Sequence, residues 1–211
     1  PNYLLYLLSG EKKAEYTIAS TTQLTDPRNR QWSEAILDTF DIPNSIMPDI
    51  VEPGTVIGSI LPDIAEKTGI SKDVPVIASA SHDTAAAVAS IPATEPDWAF
   101  LSSGTWSLMG LELDEPVINE KSLKYNFTNE GGVEKKIRYL KNIIGLWPLQ
   151  ECRRYWAEKG EEYEYSTLEQ LARENGPVGA WVDLATHRFL KPGDMPEKII
   201  NFLKETGQSY E

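Results

Sequence analysis

Residues 74–109, VPVIASASHDTAAAVASIPATEPDWAFLSSGTWSLM, constrain this 211-residue chain more than any other stretch. The β-branched run VPVIAS at 74–79 predicts a short buried strand of the kind α/β proteins carry. A polar turn and an alanine-rich helix follow, then IPATEPDW at 91–98, whose two prolines and two acids predict an interdomain link. A second apolar run leads into Ser102, Ser103, Gly104 and Thr105 and out into WSLMGLEL, which predicts two strands joined at a turn. Two turns able to do chemistry thus lie just over twenty residues apart, each after a strand. One offers the Asp83 carboxylate, the other small residues and backbone N–H groups. A carboxylate facing a phosphate-sized turn across a cleft is the minimum equipment for moving a phosphoryl group onto a hydroxyl.

Around that stretch the chain predicts an α/β framework. YLLYLL at 3–8, with Gly10 behind it, predicts a helix and its stop. The hydroxyl-rich AEYTIASTTQL at 14–24 predicts a buried loop or helix start with its hydroxyls bonded. Asp26, Pro27 and Asn29 mark a turn, with Asp26 placed to bond the backbone just ahead. WSEAILDTF at 32–40 predicts an amphipathic helix capped by Ser33, with Trp32, Ile36, Leu37 and Phe40 on its core face. Three prolines and two glycines make 42–60 extended and turn-rich. LPDIAEKTGI predicts a short helix ending near Gly69, KKIRYLKNI at 135–143 a strand, and 145–160, 167–176 and 195–207 helices.

A net charge of −12 excludes the basic face that nucleic acid requires, though a turn of N–H groups can hold one nucleotide within an acidic protein. No apolar run approaches the roughly 20 residues that cross a bilayer. The single cysteine, Cys152, cannot pair internally, which predicts a reducing, cytoplasmic setting. Two histidines, His82 and His187, are too few for a histidine-rich metal site. The chain opens without Met at Pro1 and stops at Tyr210 and Glu211 after a helical pattern, so a piece of something longer is expected.

Each turn has a plain alternative. An Asp at the start of a helix is commonly an N-cap, worth about 1 kcal/mol. A Ser-Gly turn occurs in many hairpins that bind nothing, and no Gly-Lys-Ser/Thr follows this one. Against the first alternative, a carboxylate can take a hydroxyl proton as the oxygen attacks, and His82 and Thr84 can orient a polyhydroxyl substrate beside the small Ala85, Ala86 and Ala87.

ASTTQLTDPRNRQW, SHDTAAAV, FLSSGTWSLMG, NFTNEGGVEKKIRYLKNIIGLWPLQECRRYW and HRFLKPGDMPEKI, in that order along the whole chain, resemble the FGGY carbohydrate kinases, and within them the branch acting on L-rhamnulose. The resemblance implies a two-domain actin-like ATPase (ribonuclease H-like) α/β fold, one domain holding the sugar and the other ATP with magnesium. Residues 1–97 would be the later part of the sugar domain and 98–211 the earlier part of the ATP domain, with hinge motion near 91–98. By the same resemblance Asp83 is the catalytic base, and His82, Asp83 and Thr84 contact the sugar. Gly104 and Thr105 meet the nucleotide phosphates, and Asn142 and Gln150 match further nucleotide-side positions. No residue matches a metal ligand. The partners implied are a small sugar and ATP, without nucleic acid or membrane.

The family's Asp-x-Gly-x-Thr phosphate turn and its GGG-type adenosine turn have no counterpart here. The chain therefore resembles the middle of such a kinase. Other readings stay open: a kinase for L-fuculose or L-xylulose, a sugar-binding fragment without catalysis, or a purely structural domain.

Overall fold

The computed structural model describes residues 1–95 and 97–209. Pro96, inside the expected link, and Tyr210 and Glu211 at the chain's end lie outside the described residues. The chain divides into two compact units, Pro1–Ser102 with Met109–Lys141, and Ser103–Leu108 with Asn142–Glu211.

The first unit opens with α1 (Asn2–Ser9), stopped by Gly10 in the left-handed conformation at φ 78°, as the sequence predicts. The short β1 (Lys13–Glu15) runs straight into the single turn α2 (Tyr16–Ala19). The hydroxyls of Ser20, Thr21 and Thr22 donate back to the carbonyls of Thr17, Ile18 and Ala19, so the hydroxyls are bonded as expected, in a 3-10 turn that ends α2. β2 (Thr25–Asp26) and β3 (Gln31–Trp32) form a tight hairpin in which Asp26 Oδ1 accepts from the Arg28 amide at 3.0 Å. α3 (Glu34–Thr39) is capped by Ser33, whose Oγ accepts from the Ile36 amide.

Here the expected core face fails in part. Leu37 is buried, but Trp32 belongs to β3 and anchors itself by donating its indole N–H to the Pro48 carbonyl. Phe40 sits past the helix end and is exposed, because the chain has already left helical geometry there.

β4 (Asp49–Val51) pairs parallel with β1, placing Glu15 opposite Val51. β5 (Val56–Ser59) is followed by α4 (Pro62–Thr68), with Gly69 as its left-handed stop. β6 (Pro75–Ile77) is the expected strand but not a fully buried one. It pairs antiparallel with β5 in a two-stranded sheet, so only Val76 turns inward while Ile77 is half exposed. α5 (Asp83–Ala89) follows, packing Ala85 and Val88 into the core.

β7 (Phe100–Ser103) and β8 (Trp106–Leu113) flank the Gly104 and Thr105 turn, and α6 (Glu120–Lys124) is capped by Asn119. β9 (Thr128–Gly131) and β10 (Ile137–Ile144) pair antiparallel with Gly131 opposite Ile137, and the sheet order is β7-β8-β10-β9. Two glycines allow close approach in the first unit. A Cβ on Gly110 would meet the Tyr139 carbonyl at 2.5 Å, and one on Gly131 would enter the Tyr16 ring.

The second unit is built on α7 (Trp147–Glu158), α8 (Tyr165–Asn175) and α9 (Met195–Glu205). Its core is Ile144, Cys152, Phe189 and Met195, with Trp147, Trp156 and Phe202 packed against them. The Trp147 indole donates to the Phe189 carbonyl at 3.1 Å, tying the helix start to the loop before α9. Burial and the neighbouring Glu151 push the Cys152 thiol up to about 11. Among the described residues no helix is long and apolar enough to cross a membrane.

Candidate functional site

In the first unit, Asp83 is the first residue of α5 rather than its cap. His82 holds the cap position without a side-chain bond. The Asp83 side chain is 99% exposed, and among the described residues its Oδ1 accepts only from the Thr84 amide at 2.7 Å and, weakly, the Thr84 hydroxyl at 3.4 Å, with His82 Nδ1 3.8 Å away. The carboxylate therefore remains open to solvent, while Thr84 and Ala85 behind it are buried.

What holds this turn comes from far away in sequence. Glu15 closes β1 and is fully buried. Its Oε1 accepts from the Thr17 amide at 2.8 Å, and its Oε2 accepts from the Thr17 hydroxyl at 2.6 Å, the Ile18 amide at 3.3 Å and the Ser81 amide at 3.1 Å. Having donated to Glu15, the Thr17 hydroxyl accepts from the His82 amide at 3.1 Å. Both peptide N–H groups directly before Asp83 are thus fixed. Residue patterns gave no sign of this, because the partners are separated by 66 and 65 positions.

A second buried charge lies under the same turn. Arg138 of β10 is fully buried, donating Nε to the Gly131 carbonyl at 2.9 Å and Nη2 to Glu130 at 3.1 Å. Among the described residues its Nη1 and the His82 Nδ1 are both buried without a hydrogen-bond partner. Burial pulls the His82 imidazole below its ordinary 6.5, Arg138 pushes the same way, and Glu130, Asp83 and Glu15 pull back.

A histidine held neutral in the fold but free to protonate when unfolded makes the unfolded chain bind more protons. Stability should therefore fall as pH drops through 6.5, until the folded-state imidazole also takes its proton. Urea midpoints between about pH 7.5 and 5.5 check this: the fall in that window should shrink in His82→Asn, and an unchanged profile would rule His82 out as its source.

In the second unit, Gly104 and Thr105 sit against the start of α7. The Gly104 carbonyl accepts from the Leu146 amide at 2.8 Å and the Thr105 carbonyl from the Trp147 amide at 3.1 Å. Gln150 donates to Thr105 Oγ1 at 2.9 Å, which leaves the Thr105 hydroxyl proton for an outside acceptor. That fits a phosphate oxygen. Gly145, which sequence reasoning passed over, makes the docking feasible: a Cβ there would collide with the Gly104 carbonyl and Ser107 Oγ. Asn142 is exposed on β10 and makes no side-chain hydrogen bond among the described residues. Thr105 and Gln150 are therefore brought together, and His82, Asp83 and Thr84 share one turn by adjacency. Among the described residues no three His, Cys, Asp or Glu side chains gather as metal ligands.

Comparison with known proteins matches the model of the N-terminal domain of the FGGY family of carbohydrate kinases to residues 1–89, and that of its C-terminal domain to residues 99–209. The chain is 40% identical over 209 residues to a rhamnulokinase of Oceanobacillus iheyensis, covering 99% of this chain and 43% of the relative. It is 40% identical over 208 residues to a rhamnulokinase of Bacteroides thetaiotaomicron, covering 99% and 42%. The chain thus spans less than half the length of these curated relatives. Among solved structures, a ligand-bound xylulose kinase from Lactobacillus acidophilus superposes with a TM-score of 0.68 at 21% identity, covering 84% of this chain and 35% of that one. The fold is accordingly the actin-like one of these sugar kinases. With both domain models of one family following each other along almost its entire length, this chain belongs to the FGGY family of carbohydrate kinases.

Proposed function

We propose that the whole protein phosphorylates a ketose hydroxyl with ATP as donor, L-rhamnulose being the sugar and L-rhamnulose 1-phosphate the product. The observation that carries this is the Asp83 carboxylate, almost wholly exposed at the start of α5 on a turn whose backbone is fixed from beneath. In this reading Asp83 takes the hydroxyl proton as the sugar oxygen forms its bond to the terminal phosphorus and the bond to the ADP oxygen breaks. His82 and Thr84 contact the sugar. Gly104 and Thr105 supply donors to phosphate oxygens, Gln150 keeps the Thr105 hydroxyl aimed outward, and Asn142 belongs to the nucleotide side. ATP supplies the transferred group, and magnesium arrives on its phosphates, since that ion commonly keeps its waters and binds through substrate oxygens. Residues 1–97 serve the sugar and 98–211 the nucleotide, and ATP as donor places the reaction in the cytoplasm.

The name shared by the relatives at 40% identity supports L-rhamnulose over other ketoses. ADP release by the whole protein on L-rhamnulose, L-fuculose and L-xylulose tests this. L-Rhamnulose should lead in kcat/KM by about tenfold or more, the discrimination that small differences in sugar shape provide. Equal or better turnover of another ketose would move the assignment to that sugar. Sugar binding without any turnover would leave a binding protein.

A further inference from the structure

Resting on the reading of Asp83 as the base, we infer that Glu15 and Thr17 are positioning residues that aim its carboxylate by clamping the two peptide groups ahead of it. The geometry is specific. Glu15 is fully buried and spends one oxygen on its own helix start and the other on the Thr17 hydroxyl, the Ile18 amide and the Ser81 amide. The direction of each bond is settled by chemistry. A carboxylate that meets three N–H groups accepts from all of them, so the Thr17 hydroxyl must give its proton to Glu15 and offer its lone pairs to the His82 amide. Neither residue reaches solvent, so neither can touch a sugar.

Asp83 itself has almost no support of its own. Its carboxylate is exposed; among the described residues it accepts hydrogen bonds only from the residue that follows it, and the His82 Nδ1 lies 3.8 Å away. A base in that state is placed by its backbone, and the backbone entering α5 is placed by Glu15 and Thr17. A structural cap would need only the Thr17 and Ile18 amides. The additional bonds to Ser81 and His82 lead to the turn that carries the base.

Two near-isosteric variants of the whole protein test the clamp. Thr17→Val removes the acceptor for the His82 amide. Glu15→Gln turns an N–H₂ toward groups that themselves donate. Each is expected to lower kcat for L-rhamnulose and ATP by about tenfold to a hundredfold, the usual consequence of a small misplacement of a reacting group. KM for either substrate should stay within about threefold, and Thr17→Ser, which keeps the hydroxyl, should recover most of the rate.

The deciding measurement is the cycle with Asp83→Asn. If the clamp acts through Asp83, Thr17→Val should cost little further once the base is gone, whereas a separate structural role would lower the residual rate by the same factor again. A folded Thr17→Val or Glu15→Gln with kcat within twofold of wild type would overturn the inference while leaving the base assignment standing. Loss of the thermal transition in both would assign the pair to the fold and overturn it as well. Full turnover by Asp83→Asn would remove the base and, with it, anything to aim.

Discussion

Asp83→Asn should reduce sugar-dependent ADP formation by about a hundredfold to ten-thousandfold, the range that a positioned general base contributes. The substitution is well isolated. Asn has the size of Asp, and its carbonyl oxygen can still accept from the Thr84 amide, so α5 begins as before. The side chain is exposed, and exposed substitutions of this kind change stability by less than about 0.5 kcal/mol. The amide cannot take a proton from an attacking hydroxyl. Loss of kcat with an unchanged melting temperature is therefore the expected pattern in a steady-state assay run beside calorimetry. A fall of less than about tenfold would mean that Asp83 is not the base.

The largest effect on stability should come from Arg138→Met. Arg138 is completely enclosed in β10 and answers the Glu130 carboxylate and the Gly131 carbonyl. Deleting it leaves Glu130, itself buried, without its counter-charge, and also removes the positive group felt by Glu15 and Asp83. Breaking one side of such a pair costs about 3–5 kcal/mol, whereas replacing both sides with apolar groups of similar volume is often close to neutral. Urea denaturation should therefore show the double variant Arg138→Met/Glu130→Leu to be more stable than Arg138→Met alone. A single-variant loss below about 1 kcal/mol, or a double variant worse than the single, would show that the pair is not the local anchor.

These two residues also show where the chain could be read directly and where it could not. Asp83 stands between the polar pair Ser81 and His82 and the run Thr84 to Ala87, a local pattern, and the structure makes it the first residue of the helix expected there. Gly10 and Gly69 stop their helices where predicted, since a left-handed residue after a helical run is decided locally. The strand expected over 135–143 says nothing of a buried charge, yet Arg138 is enclosed beside Glu130, which the antiparallel register sets opposite it. Register across a sheet is not written in either strand alone. The inward reading of Ile77 erred for the related reason that β6 has only β5 beside it. Glu15 is the extreme case: its bond to Ser81 depends on a chain reversal through five intervening strands and three helices. Thr105 and Gln150 were named by family likeness; their hydrogen bond, between residues 45 positions apart, could not be read from either stretch alone.

The enclosed Cys152 has a practical use. With its thiol pushed up to about 11, only about one molecule in ten thousand carries the reactive thiolate at neutral pH, and the packed second-unit core bars reagents from it. A cysteine introduced at a well-exposed position of this chain should accordingly take a maleimide dye in preference to Cys152. Pairs of such labels could then report distance changes by fluorescence while Cys152 stays silent, so that this position needs no replacement first.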